Sequence, residues 1–292
     1  MKNLINYYYN LNVKAFKKID GKFIFELNNK FYEFVPFYGD VNSFYKNYLT
    51  VLKNNKYCHE IVFNNQKNIL TFYEGKPYLL LRKNLYIENK VDLNEIITYD
   101  IPIYSEIKLE WKKLWKEKID YYEYQMSQLS HKYKTLKNSF DYYIGLSENS
   151  IALLNYINEK NIRFYMCHRR INYSEKLDEF FNPIHFIVDN LTRDVGEYIK
   201  TNYFNSELDL SYVYNCIDKM DFNKSESILL LARLMYPSYY FDIYDQIIQG
   251  NTAEEKIEVY IKKNVSYETF LKSFYNHLKY KFNIPEIEWF ET

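Results

Sequence analysis

Two short apolar runs near the middle of the chain stop abruptly at residues that could do chemistry. Arg163 to Cys167 leads into His168-Arg169-Arg170, and Pro183 to Val188 leads into Asp189-Asn190. A histidine and a carboxylate placed 189 − 168 = 21 residues apart are the raw material for proton transfer or cation binding. The arginines are not, because a guanidinium keeps its proton at ordinary pH and only donates hydrogen bonds. Arg169 and Arg170 would form an anion site opposite Asp189 or neutralise it, and neutralisation is the simpler reading. Every other residue here also has a structural reading. His168 would brace its loop, Cys167 would fill an apolar strand face as a small hydrophobe, and Asp189 would either hold a cation or brace its own loop. Just downstream, Asp194 and Glu197 are spaced as a capping box, with Asp194 accepting from the first amides of a helix and Glu197 reaching back.

Several chemistries are excluded outright. The six glycines (21, 39, 75, 145, 196 and 250) are so dispersed that the closest pair is 18 residues apart. A dinucleotide fingerprint, a Walker A loop and a kinase-type glycine loop each need glycines a few residues apart, so that backbone amides can approach phosphate. The hydrolase elbow fails as well, since Gly145-Leu146-Ser147 continues into Glu148-Asn149. Cys58, Cys167 and Cys216 are odd in number and form no C-x-x-C pair, which speaks against a disulfide framework or a zinc cluster and for a reducing compartment. Lys plus Arg and Asp plus Glu are both 38, so no net positive field draws the chain to nucleic acid. The five lysines between Lys108 and Lys118 read as a solvated helix face. No apolar h-region follows Met1, and the most apolar stretch, Ile228 to Tyr236, is interrupted by Arg233 and too short to span a bilayer.

The elements that must position these residues change texture along the chain. Val13 to Ile19, Lys22 to Leu27 and Lys30 to Phe37 are β-branched and aromatic runs separated by Asp20-Gly21 and Asn28-Asn29, which predicts a three-stranded meander. Asp40 would cap a helix ending near Asn54-Asn55, and two strands, Ile69 to Tyr73 and Tyr78 to Leu81, follow. Beyond residues 82–92 the period becomes 3.6. Ser105 would cap a helix carrying Ile107, Trp111, Leu114, Trp115, Ile119 and Tyr122, with both tryptophans in the core. A second helix would carry Phe140, Ile144, Ile151, Leu154 and Ile157. The two apolar runs would form a small β-pair inside an otherwise helical region. A small β unit followed by a larger helical one carrying a β-pair is the element order of protein-kinase-like phosphotransferases.

Six sequence runs make that likeness specific. Trp111-Lys-Lys-Leu-Trp115 with Lys118-Ile-Asp120, Tyr143-Ile-Gly-Leu-Ser-Glu-Asn149, Cys167-His-Arg-Arg170, Ile187-Val-Asp189, Arg193-Asp-Val-Gly-Glu-Tyr-Ile199 and Ala232-Arg-Leu-Met-Tyr-Pro237 resemble the spore-coat-associated kinase-like proteins of endospore formers, the CotS/YutH-like group. These are relatives of aminoglycoside and choline phosphotransferases. The resemblance implies an α+β, bilobal protein-kinase-like fold, with a mainly β N-lobe over residues 1–87 and a helical C-lobe over 88–292.

It also assigns the loops. His168 matches the first position of a His-Gly-Asp catalytic loop, but Arg169 replaces the glycine and Arg170 the catalytic aspartate. The downstream metal-binding position falls on Glu175, or on Asn172 if the loop shifts. Asp189 matches the metal-binding aspartate of the next loop, and Val35 lies near the place of the β3 lysine. The implied function is that of a pseudokinase, a structural or scaffolding protein of spore-coat assembly. It would have other coat proteins as partners and no cofactor, and would sit in the mother-cell cytoplasm or in the coat itself. The alternative is a divergent phosphotransferase using ATP and Mg²⁺, with Asp189 and Glu175 as metal ligands and a carboxylate such as Asp178 as base. A third reading, a sugar or nucleic-acid binder stacking on its tyrosines, requires contiguous exposed rings along one groove.

Overall fold

The computed structural model describes residues 1–292 except 20, 55–56, 84–88, 105–106, 108–109, 170–176 and 292. In chain order its elements are α1 (Lys2–Tyr9), β1 (Lys17–Ile19), β2 (Lys22–Leu27), β3 (Lys30–Pro36), α2 (Val41–Asn54), β4 (Glu60–Val62), β5 (Leu70–Tyr73) and β6 (Lys76–Arg82). The chain then forms α3 (Leu93–Thr98), α4 (Trp111–Leu129), α5 (Lys134–Leu153), β7 (Tyr165–His168), α6 (Leu177–Phe180) and β8 (Phe186–Asp189). The remainder is helical: α7 (Thr192–Phe204), α8 (Leu210–Lys219), α9 (Lys224–Met235), α10 (Ser238–Ile248), α11 (Glu258–Ile261), α12 (Asn264–Phe282) and α13 (Glu288–Glu291). The fold is thus α+β, an antiparallel sheet followed by a mostly helical remainder. Two compact units emerge, one of residues 1–91 with 166–188, the other of 92–165 with 189–292.

In the first unit the sheet runs β1-β2-β3-β6, and β6 carries two short strands on its far edge. β4 pairs with Leu80–Arg82 and β5 with Lys76–Leu79, so the two act as one interrupted strand. The β2–β3 hairpin turns on Asn28 and Asn29, both with positive φ (52° and 58°), the twist that two-residue hairpins require. Phe23, Phe25, Phe34 and Leu80 point to one face of the sheet, where Ile5 and Tyr9 of α1 and Val13 cover them. Val35, Leu79 and Leu81, the alternate residues, are buried on the other face. Asp40 caps α2 by accepting from the Ser43 amide at 2.7 Å. The strand predicted over Val13 to Ile19 shrinks to Lys17–Ile19, because Asn6 holds Val13 through its backbone amide (2.8 Å) and turns the preceding chain toward α1. Neither α1 nor β4 was foreseen.

The stretch Met166–Val188 lies within the span that the sequence reading gave to the helical part, yet it groups with the sheet. Three ties explain this. The His59 amide donates to the Phe181 carbonyl at 3.0 Å, Asn47 Nδ2 to the Phe186 carbonyl at 3.3 Å, and Lys83 to Asp178 at 2.7 Å.

The second unit is built around α9. Every residue from Ser225 to Met235 is buried, as expected of a helix that is packed on all sides. A further core joins Ile119, Tyr122 and Met126 of α4, Phe140 and Tyr143 of α5, and Tyr240, Phe241 and Tyr244 of α10. Rings interleave there, Tyr143 on Tyr240 at 3.6 Å and Tyr122 on Phe241 at 4.3 Å. Two helix ends differ from expectation. α4 starts at Trp111, with Ser105 outside the described residues, and α5 gives way after Leu153 to a 3₁₀ turn at Leu154–Tyr156 that excludes Ile157. Among the described residues no helix is long and apolar enough to cross a membrane.

Candidate functional site

In the second unit Asp189 closes β8, and the loop after it is fixed by its neighbour. Asn190 Nδ2 donates to the Arg163 carbonyl (2.7 Å) and to Glu226 Oε1 (3.0 Å), while its Oδ1 accepts from the Thr192 amide (3.1 Å) and starts α7. Glu226 is itself fully buried, completes a capping box with Asn223 at the start of α9, and pairs with Arg163. The Asp189 carboxylate, only 6% exposed, therefore has a set position and direction. Arg233 of α9 donates to its Oδ1 at 2.7 Å, and Arg193 of α7 donates to its Oδ2 at 3.1 Å. Arg233 in turn lies 5.1 Å from the centre of the Trp111 ring. Gly196 of α7 faces this part of α9, where an added Cβ would meet the Arg233 Cβ at 3.4 Å, an ordinary van der Waals contact. Burial pulls the Arg193 pKa down, but Asp189, Glu197 and Asp194 outweigh it and hold the guanidinium above its ordinary value.

This geometry corrects two expectations. The capping box of Asp194 and Glu197 does not form, because α7 begins at Thr192, two residues before Asp194, once Asn190 has initiated it. Asp194 lies in the first turn, where the helix dipole favours a carboxylate, and Leu191 is the N-cap residue. Glu197 instead pairs with Lys200 (2.7 Å) and accepts from Ser238 Oγ (3.2 Å). Trp111 and Trp115 are half-buried rather than core residues, one facing Arg233 and the other stacked on Tyr236 at 4.6 Å. The arginines that meet Asp189 are Arg193 and Arg233, which the sequence reading did not weigh. Arg170, Asn172 and Glu175 lie outside the described residues, and Arg169 is exposed, its amide donating to the His185 carbonyl at 2.8 Å.

In the first unit His168 is 1% exposed, stacked near Phe180, and its Nε2 donates to the Phe180 carbonyl at 2.9 Å. A carbonyl can only accept, so that nitrogen carries the proton. Val35 is buried, and the buried charged residue on β3 is Glu33. Its Oε1 and Asp178 Oδ2 both lie 2.7 Å from Lys83 Nζ, with Glu179 Oε1 at 3.5 Å. Burial alone would lower the Lys83 pKa, but these carboxylates raise it, and the ammonium stays charged. Asp178, offered above as a base, is thus engaged in an ion pair with that ammonium. A charged residue in the inward phase of an aromatic strand, Tyr32-Glu33-Phe34, was the signal that could have revealed this cluster.

Among the described residues the donor set around Asp189 does not fit a Mg²⁺ ion. Magnesium needs oxygen ligands at about 2.0–2.1 Å in octahedral array, whereas both Asp189 oxygens already accept from guanidinium groups. Two unit charges of like sign 4 Å apart repel by about 4 kcal/mol at an effective permittivity of about 20, and a divalent ion doubles this for each arginine.

The family model described as "Spore coat putative kinase YutH" matches residues 2–274. The endospore coat-associated protein YutH of Bacillus subtilis is 23% identical over 274 residues, covering 81% of this chain and 80% of that protein. Among solved structures, an aminoglycoside phosphotransferase from Alicyclobacillus acidocaldarius superposes with a TM-score of 0.68 at 11% identity, covering 96% of each chain. The choline kinase LicA of Streptococcus pneumoniae gives 0.53 at 13% identity, over 93% of this chain and 97% of that one. At such identities these two likenesses establish the kinase-like phosphotransferase fold and nothing finer.

Proposed function

We propose that this chain, which belongs to the family of the spore coat kinase-like protein YutH, is a pseudokinase that serves as a structural component of spore-coat assembly. It would work in the mother cell or in the coat, with other coat proteins as partners and no metal or nucleotide cofactor. One observation carries the reading: the Asp189 carboxylate is held by both Arg193 and Arg233. The Lys83 cluster adds to it, because a β3 strand with Glu33 and Val35 in its inward phase offers no cation for phosphates. The tyrosines fit a structural role too, since Tyr143, Tyr240, Tyr244, Tyr267 and Tyr275 are among the largest fully buried side chains. Those five rings are not available as a stacking platform for sugars or nucleic acid.

A melting experiment with ATP, ADP or GTP, each with Mg²⁺ or Mn²⁺, tests the proposal. A ligand at 100 times its dissociation constant would stabilise the fold by about 2.7 kcal/mol. The expected result is no shift, and no transfer from labelled ATP to protein or aminoglycoside and choline acceptors. Transfer that disappears on Asp189→Ala would instead establish the divergent phosphotransferase, with Asp189 and Glu175 as metal ligands.

A further inference from the structure

The early departure of the chain from β1 leaves a gap in the sheet. Lys17, Lys18 and Ile19 pair with Ile24, Phe23 and Lys22, and β1 extends no further. The other half of β2, Phe25 to Leu27, is paired with β3 on one side. On its other side it has no strand partner among the described residues. Between this open edge and residues 10–17 lies a groove of about 920 Å³. Its walls include Phe16, 36% exposed, and the half-buried Leu27, both apolar. Lys14 and Lys17 line it as well, both exposed, against the single carboxylate of Glu26.

An open strand edge is a template for another extended segment, with backbone hydrogen bonds giving affinity and side-chain sockets giving selectivity. The charges choose the partner. Two lysines facing one glutamate favour an anionic chain, and Phe16 and Leu27 favour apolar side chains at alternate positions. We propose that this groove binds an extended acidic peptide segment of a partner protein, which adds a strand to the free edge of β2 beside β1. Neither Asp189 nor the Lys83 cluster takes part, so the proposal stands or falls separately from the absence of phosphoryl transfer.

The test uses the full-length protein and a labelled, capped peptide of alternating Glu and Val. Fluorescence anisotropy should show saturable binding that weakens as salt is added. Hydrogen exchange should show new protection of amides within Phe25–Leu27. The double variant Lys14→Glu/Lys17→Glu changes only exposed side chains and should weaken binding about tenfold. Equal binding of the Lys-Val counterpart, or of the Glu-Val peptide N-methylated at its valines, would overturn the proposal. So would an absence of binding, or affinity unmoved by the double variant. An oligodeoxythymidine that binds as well as the peptide, with no protection at Phe25–Leu27, would make this a general polyanion surface and overturn it too.

Discussion

His59 is 1% exposed, and burial together with the nearby Lys83 ammonium pulls its pKa down to about 4. An unfolded chain takes up that proton near pH 6.5, whereas the folded chain refuses it until about 4. Between those values the unfolded state binds more protons, so stability falls as pH drops, by on the order of 3 kcal/mol across the window. Glu179 acts lower down. Burial would raise its pKa, but His185, Lys22 and Lys83 lower it further, so its contribution is present above the ordinary glutamate range and lost as pH falls below that. Urea unfolding between pH 7 and pH 4.5 separates the two. The wild-type protein should lose stability steadily over this range and His59→Gln should be nearly flat; parallel slopes would remove the histidine from the account. At this scale the sequence singled out Asp189, as a cation ligand or a loop brace, but not its partners, because Arg233 sits in the apolar run Ile228 to Tyr236 and reads as an interruption. Its role appears only when α9 is packed against α7.

Lys83 follows directly on β6 and joins it to Glu33 of β3 and to Asp178 and Glu179 of α6. Removing one partner of a buried ionic group leaves uncompensated charge, which costs about 3–5 kcal/mol. Lys83→Met should therefore lower the urea midpoint steeply. Lys113→Met, which breaks an exposed pair with Glu117, should change stability by less than about 0.5 kcal/mol. Equal effects would mean that the Lys83 cluster contributes no more than a surface pair. Strands and turns were largely readable here, since Asn28-Asn29 and Glu74-Gly75 carry the positive φ values that their hairpins need. Helix starts were read less well. Asp194 and Glu197 have capping-box spacing, but Asn190, bonded to Glu226 of a distant helix, starts α7 earlier. β1 was overextended for a similar reason, since the pull of Asn6 on Val13 has no signature in the β-branched run itself.

At the scale of the whole molecule, the α+β organisation was legible because the hydrophobic period changes from two to 3.6 near residue 90. The allegiance of Met166–Val188 was not, because its ties to the rest of the first unit run through scattered single hydrogen bonds and the two lysines Lys22 and Lys83. That allegiance sets a clock for biosynthesis. The end of the second piece of the first unit leaves the ribosome 188 − 91 = 97 residues after the end of the first piece, a delay of roughly 5–20 s at about 5–20 residues per second. During that interval Glu33 and Lys83 await Asp178, and the face they share is open to water and to other chains. Stalled nascent chains ending at Ile151 and at Asn251 should differ under brief proteolysis, with the sheet region cut quickly in the shorter and protected in the longer. Equal protection in both would show that the sheet matures without its late-arriving segment. A protein made in this order depends for its safe assembly on the pace of translation as well as on the stability of the finished fold.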